Sequence, residues 1–268
     1  MSNPCPLSYR SAGMTHPGRV RTINQDAYLA LPERGVWIVA DGVGGHQQGD
    51  LASRLIVESL YDLPRARDLR RLIESVEQRI QSVNQHLVAM SASPEPDSVI
   101  ASTVAALIAV GNECVSLWAG DSRIYGLRQG RLSRLTRDHS FVDALVEEGQ
   151  ITPEQAKTHP EANVIYRAVG KDADLALEMR LYDVHAGDRF LLCTDGLTKE
   201  ATDREITERL SRGDCADAAR ALLDLALAAG GRDNIAVIVV DADAPLEQAV
   251  SDDTAPTEIL TQTPSVSG

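Results

Sequence analysis

The strongest constraint on this chain is a set of short apolar runs, each of which stops at a turn. Val36-Trp37-Ile38-Val39-Ala40 lies between Gly35 and Asp41-Gly42, and Arg189-Phe190-Leu191-Leu192-Cys193-Thr194 ends in Asp195-Gly196. Runs this short, closed by turn residues, read as buried strands. Further strands are expected at Thr103–Val110, Cys114–Ala119, Arg123–Leu127, Arg131–Leu135, 175–182 and Asn234–Val240, with Gly111-Asn112 and Gln129-Gly130 as hairpin turns. Helical periods run over 48–63, 66–90, 203–211 and 215–229, and over 140–158 with breaks at Gly149 and Pro153. Strands therefore fall in hairpin-linked blocks and helices fall in pairs between them. That grouping predicts a layered fold of antiparallel sheets flanked by helix pairs, not a strictly alternating parallel sheet.

Composition narrows the partners. The 268 residues carry 26 Lys+Arg against 39 Asp+Glu, a net charge of -13. Phosphate neutralisation needs clustered basic side chains, so nucleic acid is excluded as the main partner. The apolar run Val104 to Val110 falls far short of the ~20 residues that span a bilayer, so no membrane insertion is expected. Cys5, Cys114, Cys193 and Cys215 form no CxxC pair, and the first thirty residues are polar and broken by Pro and Gly. A cytoplasmic protein without disulfides or a secretory signal is expected. From Asp241 to Gly268 there are six acids and no Lys or Arg, which reads as a disordered tail behind a domain of residues 1–240.

Two glycine-rich segments invite nucleotide readings and fail them. After Gly42, the third glycine of G-x-G-x-x-G falls on Gln47, and Gly13 to Gly18 continues with Arg19-Val20 instead of Lys-Ser/Thr. Carboxylates at strand ends are more informative. Asp41 and Asp195 each follow a strand, Asp233 precedes one, and Asp121 lies between two. A single Asp-Gly signals only a turn. Several short carboxylates fixed by strands at one place would form a hard-oxygen site for Mg²⁺ or Mn²⁺.

Taken in order, these segments resemble a family, the metal-dependent type 2C Ser/Thr protein phosphatases in their short bacterial form. The matching stretches are Gly18–Ala27, Asp41-Gly42-Val43-Gly44-Gly45-His46 with Gly49, Ser102-Thr103, Gly120-Asp121-Ser122-Arg123, Thr136–Ser140, Arg167–Gly170, Thr194-Asp195-Gly196-Leu197 and Asp233-Asn234. The resemblance implies an α+β layered sandwich (α-β-β-α) of two mainly antiparallel sheets flanked by helix pairs, two to three Mn²⁺ or Mg²⁺ ions, and hydrolysis of phosphoserine or phosphothreonine by a metal-activated bridging water. It implies that Asp41 bridges two ions, that Asp195 and Asp233 complete one shell, and that the Gly42 carbonyl contributes to the other. Asp121 matches a position for a third, weaker ion, and Asp26 matches an acid at the edge of the metal site. Arg21 matches the arginine that holds substrate phosphate, and His46 the proposed general acid. Gln25 departs from a frequent Glu, which would weaken the second ion's site. Residues 140–170 match a flap beside the active site.

Further local features, Gly35–Asp41 with Asp50 and Leu117–Arg123, resemble phosphatases associated with type VI secretion. Those enzymes reverse a Ser/Thr kinase acting on a forkhead-associated scaffold, so a phosphorylated protein substrate, a cognate kinase and such a scaffold are the partners implied. A monomer is expected. The Thr257-Glu258-Ile259-Leu260 spacing in the tail suits a forkhead-associated domain, against the plainer reading of a solubilising tail. Two alternatives stand beside the enzyme: a catalytically weak phosphoprotein-binding module, and a structural metal-binding domain.

Overall fold

The computed structural model describes residues 7–43, 48–91 and 99–244. The elements run β1 (Ser8–His16), β2 (Asp26–Leu31), a 3-10 turn (Pro32–Arg34), β3 (Val36–Val43), α1 (Gln48–Glu58), α2 (Leu69–Ser91), β4 (Ala101–Ser102), β5 (Val104–Val110), β6 (Glu113–Ala119), β7 (Arg123–Arg128) and β8 (Arg131–Arg134). They continue with α3 (Phe141–Glu147), α4 (Pro153–Lys157), β9 (Glu178–Asp183), β10 (Arg189–Cys193), α5 (Asp195–Thr198), α6 (Asp203–Leu210), α7 (Cys215–Ala229) and β11 (Ile235–Asp243). One sheet has the order β1-β11-β10-β7-β8, the other β2-β3-β5-β6-β9 with β4 paired to β3. All of these pairings are antiparallel.

The two-residue alternation of a strand sorts the apolar runs into three layers. In β3, Trp37 and Val39 point between the sheets, where they meet Ala105, Leu107, Phe190, Leu192, Ile238 and Val240. Val36, Ile38 and Ala40 point the other way, against Ala52 and Ile56 of α1 and Val76 and Ile80 of α2. On the second sheet, Leu191, Cys193, Val237 and Val239 pack under Ile206, Leu210, Leu222 and Ala226 of α6 and α7. Strands covered on both faces must be apolar throughout, which is why the runs do not alternate with polar residues. The expected sandwich of helices, two antiparallel sheets and helices is the fold observed.

Helix starts follow side-chain chemistry. Thr202 and Glu205 form a reciprocal capping box on α6, and Asp214 with Asp217 does the same on α7. Asp68 accepts the Arg71 N–H, so α2 starts at Leu69, three residues later than its apolar period predicts. α1 stops at Glu58, short of the expected 63, and continues as turns that still bury Leu60 and Leu63.

Several strand assignments differ from the sequence reading, the short β4 and the start of β9 among them. β1 and β2 were not expected in the polar first thirty residues. β1 is an edge strand whose partner is β11, with Ser8 opposite Asp243, so no local pattern reports it. β11 also runs past the expected end at Val240, to Asp243. Asp241 is neutralised by Arg189 and Asp243 by Arg10, so two of the six acids assigned to the tail belong to the sheet. Paired charges on a strand look like tail composition until the partner strand is known.

The inter-sheet layer should dominate stability. Leu107→Ala is expected to cost ~2–5 kcal/mol in urea unfolding. Leu181→Ala, on β9 with 59% of its surface exposed, should change it by less than ~0.5 kcal/mol.

Candidate active site

Five strand ends meet at one edge of the sandwich, and each carries or adjoins a carboxylate. Asp26 opens β2 and sits directly opposite Asp41 on β3. β10 ends at Cys193 opposite Val237 of β11, so Asp195, just after β10, and Asp233, just before β11, share that edge. Cys193 also lies opposite Arg123, which brings in Asp121 from the turn between β6 and β7. The sequence-predicted Asp26, Asp41, Asp121, Asp195 and Asp233 are thus assembled. His46 lies outside the described residues, as do Gly44 and Gly45.

Backbone contacts fix this edge. The Asp41 N–H donates to Thr103 Oγ1 at 3.0 Å, and the Thr103 N–H returns a bond to the Asp41 carbonyl at 2.8 Å. Thr103 Oγ1 also bonds Ser122 Oγ at 2.7 Å, tying β3 to the Asp121 turn. Thr194 Oγ1 donates to Asp26 Oδ2 at 2.7 Å, a bond that joins the two sheets. Gly42 and Gly49 approach so closely that a Cβ on Gly42 would lie 2.0 Å from the Gly49 carbonyl oxygen. The Gln25 side chain packs against Gly49, and its Nε2 is buried without a hydrogen-bond partner.

Arg21 is delivered by a loop clamped to β11. Asn234 Nδ2 donates to the carbonyls of Pro17 and Ile23, and its Oδ1 accepts the Gln25 N–H at 2.8 Å. Gly18, at φ +82°, leaves no room for a side chain, since a Cβ there would lie 2.2 Å from the Asp233 carbonyl oxygen. Arg21 Nε then pairs with Asp233 Oδ1 at 3.0 Å while its side chain stays 56% exposed. Lys199, one helical turn beyond Asp195, pairs with Asp195 Oδ2 and lies 3.5 Å from Asp233 Oδ2.

The electrostatics follow from this crowding. Burial, then repulsion from Asp26, Asp195, Asp121 and Asp233, holds the Asp41 carboxyl far above the usual range. Burial likewise raises Asp26, despite the bond from Thr194, and raises Asp195 against the pull of Lys199. Asp121 is pushed up to about 7 by burial and by Asp195 and Asp138. The Asp41 carboxyl is repelled by its neighbours Asp26, directly opposite it across the ladder, and Asp195.

Such a set fits divalent cations. Its donors are all oxygen, their charges repel, and Asp26 Oδ1 is buried with no partner. Among the described residues, however, no three Asp, Glu, His or Cys side chains form a ready cage for one ion. Lys199 and Arg21 engage Asp195 and Asp233 instead. Ions here would draw on the Gly42 carbonyl and water as well as on carboxylates.

Thr194 and Asn234 stand in the matched stretches but were given no role, and Lys199 was not singled out; its local signal is the i,i+4 spacing from Asp195, on an α5 of four residues that was too short to be noticed. Asp138 and His139 order the loop. Asp138 takes a bidentate pair from Arg123, and His139 Nδ1 accepts the Gly120 N–H.

Comparison with known proteins agrees with this geometry. Residues 15–229 match the family described as Protein phosphatase 2C. The serine/threonine protein phosphatase PstP of Mycobacterium tuberculosis is 38% identical over 237 residues, which is 88% of this chain. The chain spans about half of that relative, 45% of its length. The structure of PppA, described as a key regulatory component of T6SS in Pseudomonas aeruginosa, superimposes with a TM-score of 0.82 at 42% identity, covering 88% of this chain and 99% of PppA. The PstP catalytic domain in complex with two manganese ions gives a TM-score of 0.79 at 35% identity, covering 88% of this chain and 99% of that one. Fold and site together define a two-layer sandwich with a carboxylate cluster at one edge. The chain belongs to the protein phosphatase 2C family.

The raised carboxyls set a pH dependence. A folded chain that keeps protons the unfolded chain has released loses stability as pH rises. After chelation, stability should fall from about pH 4 through about pH 7, by more than ~1 kcal/mol. Mn²⁺ or Asp121→Asn should reduce that fall. Thermal unfolding at several pH values checks this, and a flat profile would contradict it.

Proposed function

We propose that this chain is a metal-dependent phosphatase of phosphoserine and phosphothreonine in proteins. The observation that carries the reading is the convergence of Asp26, Asp41, Asp121, Asp195 and Asp233 beside Arg21. Two or three Mn²⁺ or Mg²⁺ ions are the cofactors this implies, and the PstP domain with two manganese ions supports that choice. Asp41 would be shared between ions, Asp195 and Asp233 would serve one, the Gly42 carbonyl the other, and Asp26 would act from the edge. Bound divalent cations supply a water acidified toward neutral pH and a counter-charge for phosphoryl oxygens.

The chain's own residues do the rest. Arg21 sits at the mouth of the cluster, where its fork can take phosphate oxygens in place of Asp233 and stabilise charge as it develops. His46 would protonate the departing Ser or Thr oxygen. No cysteine nucleophile is needed. Cys193 is fully buried, and burial pushes its thiol up to about 12. The segment over 140–170 would act as a flap on substrate access, and residues 1–240 as the catalytic domain.

The likeness to PppA, a regulatory component of T6SS, supports a place in type VI secretion control, where this chain would oppose a Ser/Thr kinase acting on a forkhead-associated scaffold. Deleting the gene should leave that scaffold more phosphorylated, and an unchanged phosphorylation state would remove this assignment. The catalytic reading is tested with a chromogenic aryl phosphate and Mn²⁺. Asp195→Asn should lose at least ~10²-fold in rate. Full activity in that variant, or none in the wild type, would favour a weak phosphoprotein-binding module instead.

A further inference from the structure

Among the described residues, Lys199 is the one cation that sits among the carboxylates without a substrate to release it. Its ammonium pairs with Asp195 Oδ2 and lies 3.5 Å from Asp233 Oδ2. Its charge also acts on Asp121. The backbone dictates this placement. Asp195 is the first residue of α5, and Lys199 follows the last as its C-cap, bonding its own N–H to the Asp195 carbonyl. Residues four apart on a helix share a face, so the Lys199 side chain is aimed back at Asp195 and at the neighbouring Asp121 turn.

We infer that Lys199 is a resident counter-ion that takes the place of a third divalent cation, limiting this site to two ions. The inference rests on the metal-dependent reading above and adds to it the stoichiometry. Charge balance supports it. Asp26, Asp41, Asp121, Asp195 and Asp233 carry five negative charges when ionised. Two divalent ions and one ammonium carry five positive charges and leave Arg21 free for phosphate. A third divalent ion beside Lys199 would leave an excess of two positive charges and bring a dication against an ammonium already paired with Asp195. An ammonium offers three donors and no open coordination position, so Asp121 and the outer side of Asp195 are satisfied electrostatically without gaining a place for an ion-bound water.

The test is Mn²⁺ stoichiometry, by isothermal titration and native mass spectrometry on the full chain. Wild type should bind two Mn²⁺ per chain. Lys199→Asp should bind a third, and adding Asp121→Asn to that variant should remove it again. Circular dichroism and thermal unfolding confirm that the variants fold, and the wild-type count decides on its own if they do not. Three ions in wild type would overturn the role of Lys199 while leaving the metal-dependent reading intact. So would two ions in folded Lys199→Asp, whether bound with unchanged affinity or more tightly. No Mn²⁺ binding in any form would overturn the metal-dependent reading itself, and this inference with it.

Discussion

Like-charged carboxyl groups held against one another at the edge of a sandwich are what the rest of this molecule has to accommodate. Burial penalises each charge, and each neighbour adds to the penalty, so Asp26, Asp41, Asp121 and Asp195 are all displaced upward. Such an arrangement persists only if other interactions over-determine it. Here the two sheets do so. Each of these carboxylates lies at or next to the end of a strand, most of these strands are covered on both faces by apolar layers, and the Thr194 to Asp26 bond locks one sheet to the other. The cost of the cluster is met by the core behind it.

The same logic explains why polar residues near the site are themselves buried and paired. Thr103, Ser122, Thr194 and Asn234 are all buried, and each bonds a backbone group or side chain of a site-bearing segment. An unmade bond at any of them would leave a desolvated polar atom. These residues therefore set loop geometry to within a hydrogen-bond length, which is the tolerance that a site made of short Asp side chains requires.

Much of the fold was legible because fully covered strands must be continuous apolar runs, and capped amphipathic helices must keep their period. β3, β10 and α7 were read almost to the residue for that reason. β1 was not, because an edge strand has a mixed surface and its partner lies at the other end of the domain. Asp241 and Asp243 were misread because arginines on neighbouring strands neutralise them. Within the site, the carboxylates were legible through ordered motifs. The roles of Lys199, Thr194 and Asn234 were not, because what they do depends on packing. Thr194 and Asp26 are 168 residues apart in the chain, and no window of sequence contains both.

The loop that carries Asp121 is braced from outside by a network whose proton positions can be deduced. His139 Nδ1 accepts the Gly120 N–H at 3.1 Å, so the ring proton must sit on Nε2, which is 3.1 Å from Glu178 Oε1 on β9. Burial lowers the His139 pKa more than Glu178 raises it, which keeps the ring neutral and this tautomer in place. Arg167 Nη1, 3.3 Å from Nε2, cannot donate to a nitrogen that carries a proton, so its partner is Glu178 at 3.1 Å. The ring stacks on Trp118, and the Tyr166 N–H bonds the His139 carbonyl. The segment bearing α3 and α4 buries little of its own beyond Val142. Its attachment to the sandwich therefore relies on polar contacts, those of Arg134 with Asp143 and Arg137 with Glu147 and those at His139 and Tyr166, and of these His139 also holds Gly120, next to Asp121. A displacement of that segment would be felt at the carboxylate cluster through one neutral histidine.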